Sequence, residues 1–155
     1  MYQNILVPLD GSELAECVLP HIEAIAKLCR STVELVRVVE PIEIPTRGEI
    51  ALDADELKQM QLHGERDARG YLKTVSRRLS ESGIRTSSRI ITGKPAECLV
   101  DYVHKRNFEL IIMATHGRSG ISRWIFGSVA DRLLRSSSIP VLLVRPPGCV
   151  PASQS

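Results

Sequence analysis

The segment "MATHGRSGISRWIFGSV" holds the residues of this chain best suited to gripping a ligand: His116-Gly117, Gly120 and Gly127-Ser128. Glycine lets backbone amides approach a neighbouring group with no side chain in the way. A helix opening at Gly127-Ser128 would aim free amides and the positive end of its dipole at an anion, with the Ser128 hydroxyl as a further donor. Arg118 and Arg123 could neutralise more negative charge. The chemistry these types support is phosphate binding, although turn geometry and close packing would account for each glycine taken singly. His116 invites a catalytic reading, since histidine as a residue type can act as a base near neutral pH. No Ser/His/Asp or Cys/His spacing accompanies it, so a hydrogen-bonding or packing role is expected and no catalytic residue is assigned.

Those residues act together only if the fold gathers them. Asn4 to Leu9, "NILVPL", reads as a strand buried on both faces, running into the turn-rich "DGSE". Ser12 should N-cap a helix, because Leu14, Val18, Ile22, Ile25 and Leu28 recur at helical spacing to about Cys29. Pro20 interrupts that pattern, and a kink is expected there. Thr32 to Val39 is a second strand, and Glu40 to Asp53 a long loop. Asp55 to Ser82 should form a polar helix with one apolar stripe (Leu57, Met60, His63 or Gly64, Ala68, Tyr71, Leu72, Val75, Leu79), stopped by Gly83 at C′. "RTSSRIIT" reads as a third strand near the sheet edge, and Pro95 opens a helix with Cys98, Leu99, Tyr102 and Val103 on one side. "LIIMAT" is a central fourth strand, then a helix runs from about Ile121 or Phe126 to Arg135, and "IPVLLVRP" is the fifth strand.

Alternating strands and helices predict an α/β fold: a doubly wound, five-stranded parallel sheet with helices on both faces. A single domain is expected over residues 1–147, with 148–155 a flexible tail. Ligands of such sheets sit beyond the carboxyl ends of the strands, where the strand order switches. Turn-rich sequence follows the first and fourth strands. If these are neighbours, Asp10-Gly11-Ser12 faces Thr115-His116-Gly117 across one crevice. Asp10 could equally serve only to cap its own turn.

Composition excludes several classes of function. A net charge of +2 without any basic cluster speaks against a nucleic-acid partner. No stretch approaches ~18 consecutive apolar residues and no basic leader is evident, so neither a membrane span nor a signal peptide is expected, and a cytoplasmic protein is. Cys17, Cys29, Cys98 and Cys149 lack metal-ligand spacing and read as buried free thiols. The last strand is apolar and free of lysine, and an uncovered edge of that kind is a template for pairing. A homodimer through it is expected.

There is no P-loop, no G-x-G-x-x-G after the first strand and no G-x-S-x-G elbow. From "NILVPLDGSELA" to "GSVADRLLRSSSIPVLLVRP", nearly its whole length, the chain instead resembles the universal stress protein family. Nucleotide-binding members of that family carry G-x2-G-x9-G-[ST]. The register here is Ala114-x2-Gly117-x9-Gly127-Ser128, with alanine replacing the first glycine. The resemblance implies ATP or AMP with Mg²⁺, its phosphates on Gly117, Gly127, Ser128 and the Val129 amide. Thr115, His116, Arg118, Ser119 and Gly120 belong to the same loop. Pro8, Asp10 and Val38 would line ribose and adenine, Val38 through its backbone. The family also implies dimers paired through the last strand, and a nucleotide-dependent regulatory role in stress with unidentified protein partners. Two alternatives remain open: an interaction module without nucleotide, which Ala114 favours, and a slow ATPase or nucleotidyl transferase. The extra methyl of Ala114 costs little if φ is negative there and more if it is positive.

Overall fold

The computed structural model describes residues 1–43, 53–116 and 127–147. Strands β1 (Asn4–Pro8), β2 (Thr32–Val39), β3 (Arg85–Thr92), β4 (Leu110–Ala114) and β5 (Val141–Val144) form one sheet. Every pairing is parallel and the order is β3-β2-β1-β4-β5. The chain therefore winds outward from β1 to β3, returns to the other side of β1, and continues to β5. The doubly wound α/β fold follows, with β3 and β5 at the edges.

Strand periodicity divides the core in two. Ile5, Leu6 and Val7 are all 0% exposed, yet Ile5 and Val7 join one apolar cluster while Leu6 joins the other. The first cluster lies under α1 (Leu19–Cys29) and α2 (Ala54–Glu81), and the second under α3 (Pro95–His104) and α4 (Ser128–Ser136). This is why β1 and β4 read as continuous apolar runs: both of their faces are covered. On the second face the Tyr102 hydroxyl of α3 donates to Glu34 of β2, and Arg89 and Arg106 flank the ring at 5.8 and 5.4 Å.

Four expectations are corrected. The helix expected from Ser12 to Cys29 is two segments, a 3-10 helix over Leu14–Val18 followed by α1. Pro20 lies in the first turn of α1, where its missing N–H costs nothing, so it starts a helix rather than kinking one. In α2, Ala68, Leu72, Val75 and Leu79 are buried as expected, but Met60 is 50% exposed. Cys17, Cys29 and Cys98 are free thiols as expected, though half-buried rather than buried. Gly83 stops α2 at φ +81, as its position past the last apolar residue required.

Other expectations fall outside the described residues: most of the loop after Glu40, the segment from Gly117 to Phe126, Cys149 and the tail. Among the described residues no helix is long and apolar enough to cross a membrane.

Candidate functional site

Because β1 lies between β2 and β4, the strand order switches between β1 and β4. A cleft of about 610 Å³ opens at the carboxyl ends of these strands, within the size range of small-molecule sites. Pro8, Leu9 and Asp10 form its floor from β1. Val36 to Glu40 enter from β2 and Met113 to His116 from β4. Gly127 to Ala130 come from the start of α4, and Gly64, Asp67, Pro95 and Leu99 close the sides.

The turn after β1 is built by Asp10. Its Oδ1 accepts the Ser12 N–H at 2.9 Å and the Ser12 hydroxyl at 2.6 Å. Ser12 Oγ in turn accepts the Ala15 N–H at 3.2 Å, a bond into the first turn of the 3-10 helix, whose N-cap is Glu13 rather than the expected Ser12. Gly11 adopts φ +83, which explains a glycine there. Asp10 thus does cap its own turn, and it also lines the cleft.

On the β4 side Thr115 is the organising residue. It is 4% exposed. Its N–H donates to Val144 O at 2.8 Å, its carbonyl accepts the Gly127 N–H at 2.8 Å, and its hydroxyl pairs with His116 Nδ1 at 2.9 Å. The bond from Gly127 closes the base of the segment between His116 and Gly127. It also means that the Gly127 amide is already engaged. The first intrahelical bond of α4 runs from Asp131 N–H to Gly127 O at 2.9 Å. The amides of Ser128, Val129 and Ala130 precede it and are the donors a helix start presents to an anion.

Gly127 itself has φ −53 and ψ 149, so backbone conformation does not require glycine. Its contribution to the cleft is room. Ala114 belongs to β4, paired with Val144, and is absent from the positive-φ residues. Its methyl joins the apolar cluster beneath α1 and α2. An alanine at this position is therefore unstrained.

Pro8, Asp10, Val38, Ala114, Thr115, His116, Gly127, Ser128 and Val129 all line this one cleft, whereas Gly11 and Ser12, expected beside Asp10 on its wall, do not. Gly117, Arg118, Ser119, Gly120 and Arg123 lie outside the described residues. Arg37 was missed. It enters the cleft from β2, and its guanidinium sits 5.7 Å from the centroid of the Tyr71 ring. The signal was present in "LVRVV", a lone cation near the carboxyl end of a buried strand. Burial, and next the Glu16 carboxylate, push the Tyr71 phenol well above its usual range. Glu16 is itself held by Arg78 at 2.8 Å. Among the described residues no group of His, Cys, Asp and Glu is arranged to hold a metal ion.

The model of the universal stress protein family matches residues 1–145. The universal stress protein MJ0531 of Methanocaldococcus jannaschii is 30% identical over 150 residues, covering 95% of this chain and 84% of its own length. The solved structure of the MJ0577 protein, from the same organism, is similar with a TM-score of 0.83 at 27% identity, covering 96% of this chain and 99% of that one. At lower identity the likeness is one of fold. A universal stress protein in complex with cAMP is 21% identical with a TM-score of 0.68, covering 93% of this chain and 97% of its own. One from Arabidopsis thaliana with AMP bound is 14% identical with a TM-score of 0.67, covering 94% and 93%.

Proposed function

This chain belongs to the universal stress protein family, and on that premise we propose that its cleft binds an adenine nucleotide, ATP or AMP, and that the protein is a nucleotide-dependent regulatory module of the stress response. One observation carries the reading: the start of α4, with Gly127 and Ser128, opens onto the crevice between β1 and β4. The cAMP and AMP bound by two proteins of the same fold support it.

In this reading the phosphates rest on the Ser128 and Val129 amides and the Ser128 hydroxyl. Gly127 leaves the space they need. Ribose lies over Pro8 and Asp10, and adenine meets the backbone at Val38. Mg²⁺ arrives on the phosphates rather than in a protein cage, since it keeps most of its waters and takes few protein ligands. Thr115 and His116 hold the near wall. The working unit is a homodimer paired through β5, which among the described residues has only β4 beside it in the sheet.

Mass spectrometry of ligand released by denaturing the purified protein, followed by calorimetry with ATP, AMP and cAMP, tests the assignment. The expected result is a released adenine nucleotide and a micromolar Kd, roughly −8 kcal/mol. No heat with any of the three, together with no thermal shift at millimolar nucleotide, would overturn it.

A further inference from the structure

The wall that α2 gives to the cleft has no task in phosphate binding. Gly64 and Asp67 form it, three residues apart and so on one side of the helix. Gly64 stands in a helix interior, where glycine is among the poorest formers. Packing does not require it: among the described residues a Cβ there would meet only Val39 Cγ1, at an ordinary 3.8 Å. What the glycine keeps open is the corner between α2 and the carboxyl end of β2.

Asp67 is placed by its neighbours on the same side of α2. Gly64 lies against Val39, and the Tyr71 ring lies 5.7 Å from the Arg37 guanidinium. Asp67 stands between Gly64 and Tyr71, level with Val38, where the base is proposed to meet the backbone. Its side chain is 66% exposed, and its Oδ2 pairs with His63 Nε2 at 3.2 Å. A carboxylate has about four lone-pair sites, so that pair does not exhaust it as an acceptor. A carboxylate is a poor neighbour for phosphate, and the fold keeps the two apart. The ends of β2 and β4 flank β1, two strand spacings or roughly 10 Å from each other. With phosphate at α4 and ribose over β1, the group left to meet Asp67 is an amino donor on the base.

Resting on the adenine-nucleotide reading of the cleft, we propose that Asp67 is a specificity-determining residue. Its carboxylate accepts a hydrogen bond from the 6-amino group of the base, in the corner that Gly64 keeps open, so the cleft selects a 6-aminopurine over a 6-oxopurine. A 6-oxo base presents an oxygen there, and two acceptors repel. At this partly exposed position the contact is equivalent to about fivefold in Kd.

Calorimetric titration of the full chain with AMP and inosine 5′-monophosphate provides the test. AMP should bind at least about fivefold tighter. In Asp67→Asn, whose amide can donate to a 6-oxo group as well as accept, that ratio should fall by about fivefold or more. Gly64→Leu should fill the corner and weaken AMP binding by about tenfold or more. Gly70→Leu, where a Cβ would meet nothing within 4 Å among the described residues, should bind AMP as the unaltered chain does. Leucine is a better helix former than glycine at both positions, so circular dichroism and a cooperative melt should show both variants folded. Equal affinity for the two nucleotides in the unaltered chain overturns the inference and leaves nucleotide binding standing. A ratio unchanged in Asp67→Asn, or AMP binding unchanged in Gly64→Leu, overturns it and leaves the adenine-nucleotide reading standing. Silence with both nucleotides overturns both.

Discussion

Replacing Gly127 with valine probes the phosphate site most directly. With φ −53 and ψ 149 the position accepts any L residue. A Cβ there would meet the Thr115 carbonyl oxygen at 3.4 Å and His116 Cα at 3.9 Å, so the fold can accommodate it. Valine is a poorer N-cap than glycine, which costs the fold about 1 kcal/mol. Its branched side chain would nevertheless fill space beside the Ser128 and Val129 amides, where phosphate is proposed to rest. Losing two charge-assisted contacts of about 1.5–3 kcal/mol each weakens binding by about 100-fold or more. Nucleotide at about one hundred times its Kd stabilises the unaltered chain by roughly 2.7 kcal/mol, a rise in Tm of about 5–10 °C for a domain of this size. Gly127→Val at the same concentration should rise by about 1 °C. A folded variant that keeps the full shift would falsify phosphate binding at this helix start. A ligand-free Tm lowered by more than about 10 °C would show instead that the Thr115 contact is not tolerated.

The two halves of α2 should respond differently to truncation. Leu72→Ala, at a fully buried position, should cost about 3 kcal/mol in urea unfolding, and Met60→Ala, half exposed, no more than about 0.5 kcal/mol; similar losses at both sites would contradict the packing described. Burial and Glu16 raise the Tyr71 phenol above its ordinary value of 10.0, so the folded chain keeps a proton that the unfolded chain releases near that pH. Stability should accordingly fall as pH rises above about 10, and Tyr71→Phe should make that decline shallower in urea melts between about pH 8 and 11; an unchanged slope would disprove the assignment. Light scattering at micromolar concentration should give twice the mass of the chain, and a monomer mass would remove β5 as an interface.

Local pattern carried most of the architecture. The bounds of β2 and β3 and the end of α2 were legible because apolar spacing, proline and glycine act within a few residues of where they stand. Thr32 to Val39 is apolar or β-branched except for Glu34 and Arg37, and Gly83 alone could take φ +81 cheaply at the end of α2. The crevice between β1 and β4 followed from where turn residues cluster once a parallel sheet was inferred. The apolar stripe of α2 was legible too, but not its limit: Met60 has the right spacing, yet its burial depends on how far the sheet extends beneath the helix. Pro20 shows the same boundary, since spacing located a disruption and the packing of Leu19 and Ile22 made it a helix start.

The site depended most on tertiary structure. "VRV" in a strand says nothing of Gly11 or Tyr71, which are remote in sequence and meet Arg37 only because β2 lies beside β1 and α2 covers that face. Gly127 reads as an amide donor until the fold brings Thr115 to take that amide, leaving the donors to Ser128 and beyond. Ala114 reads as a flaw in a glycine motif until β4 places it in extended backbone with its methyl in the core. Sequence periodicity reports which side of an element is apolar, whereas the identity of its neighbours across the sheet is a long-range property set by strand order.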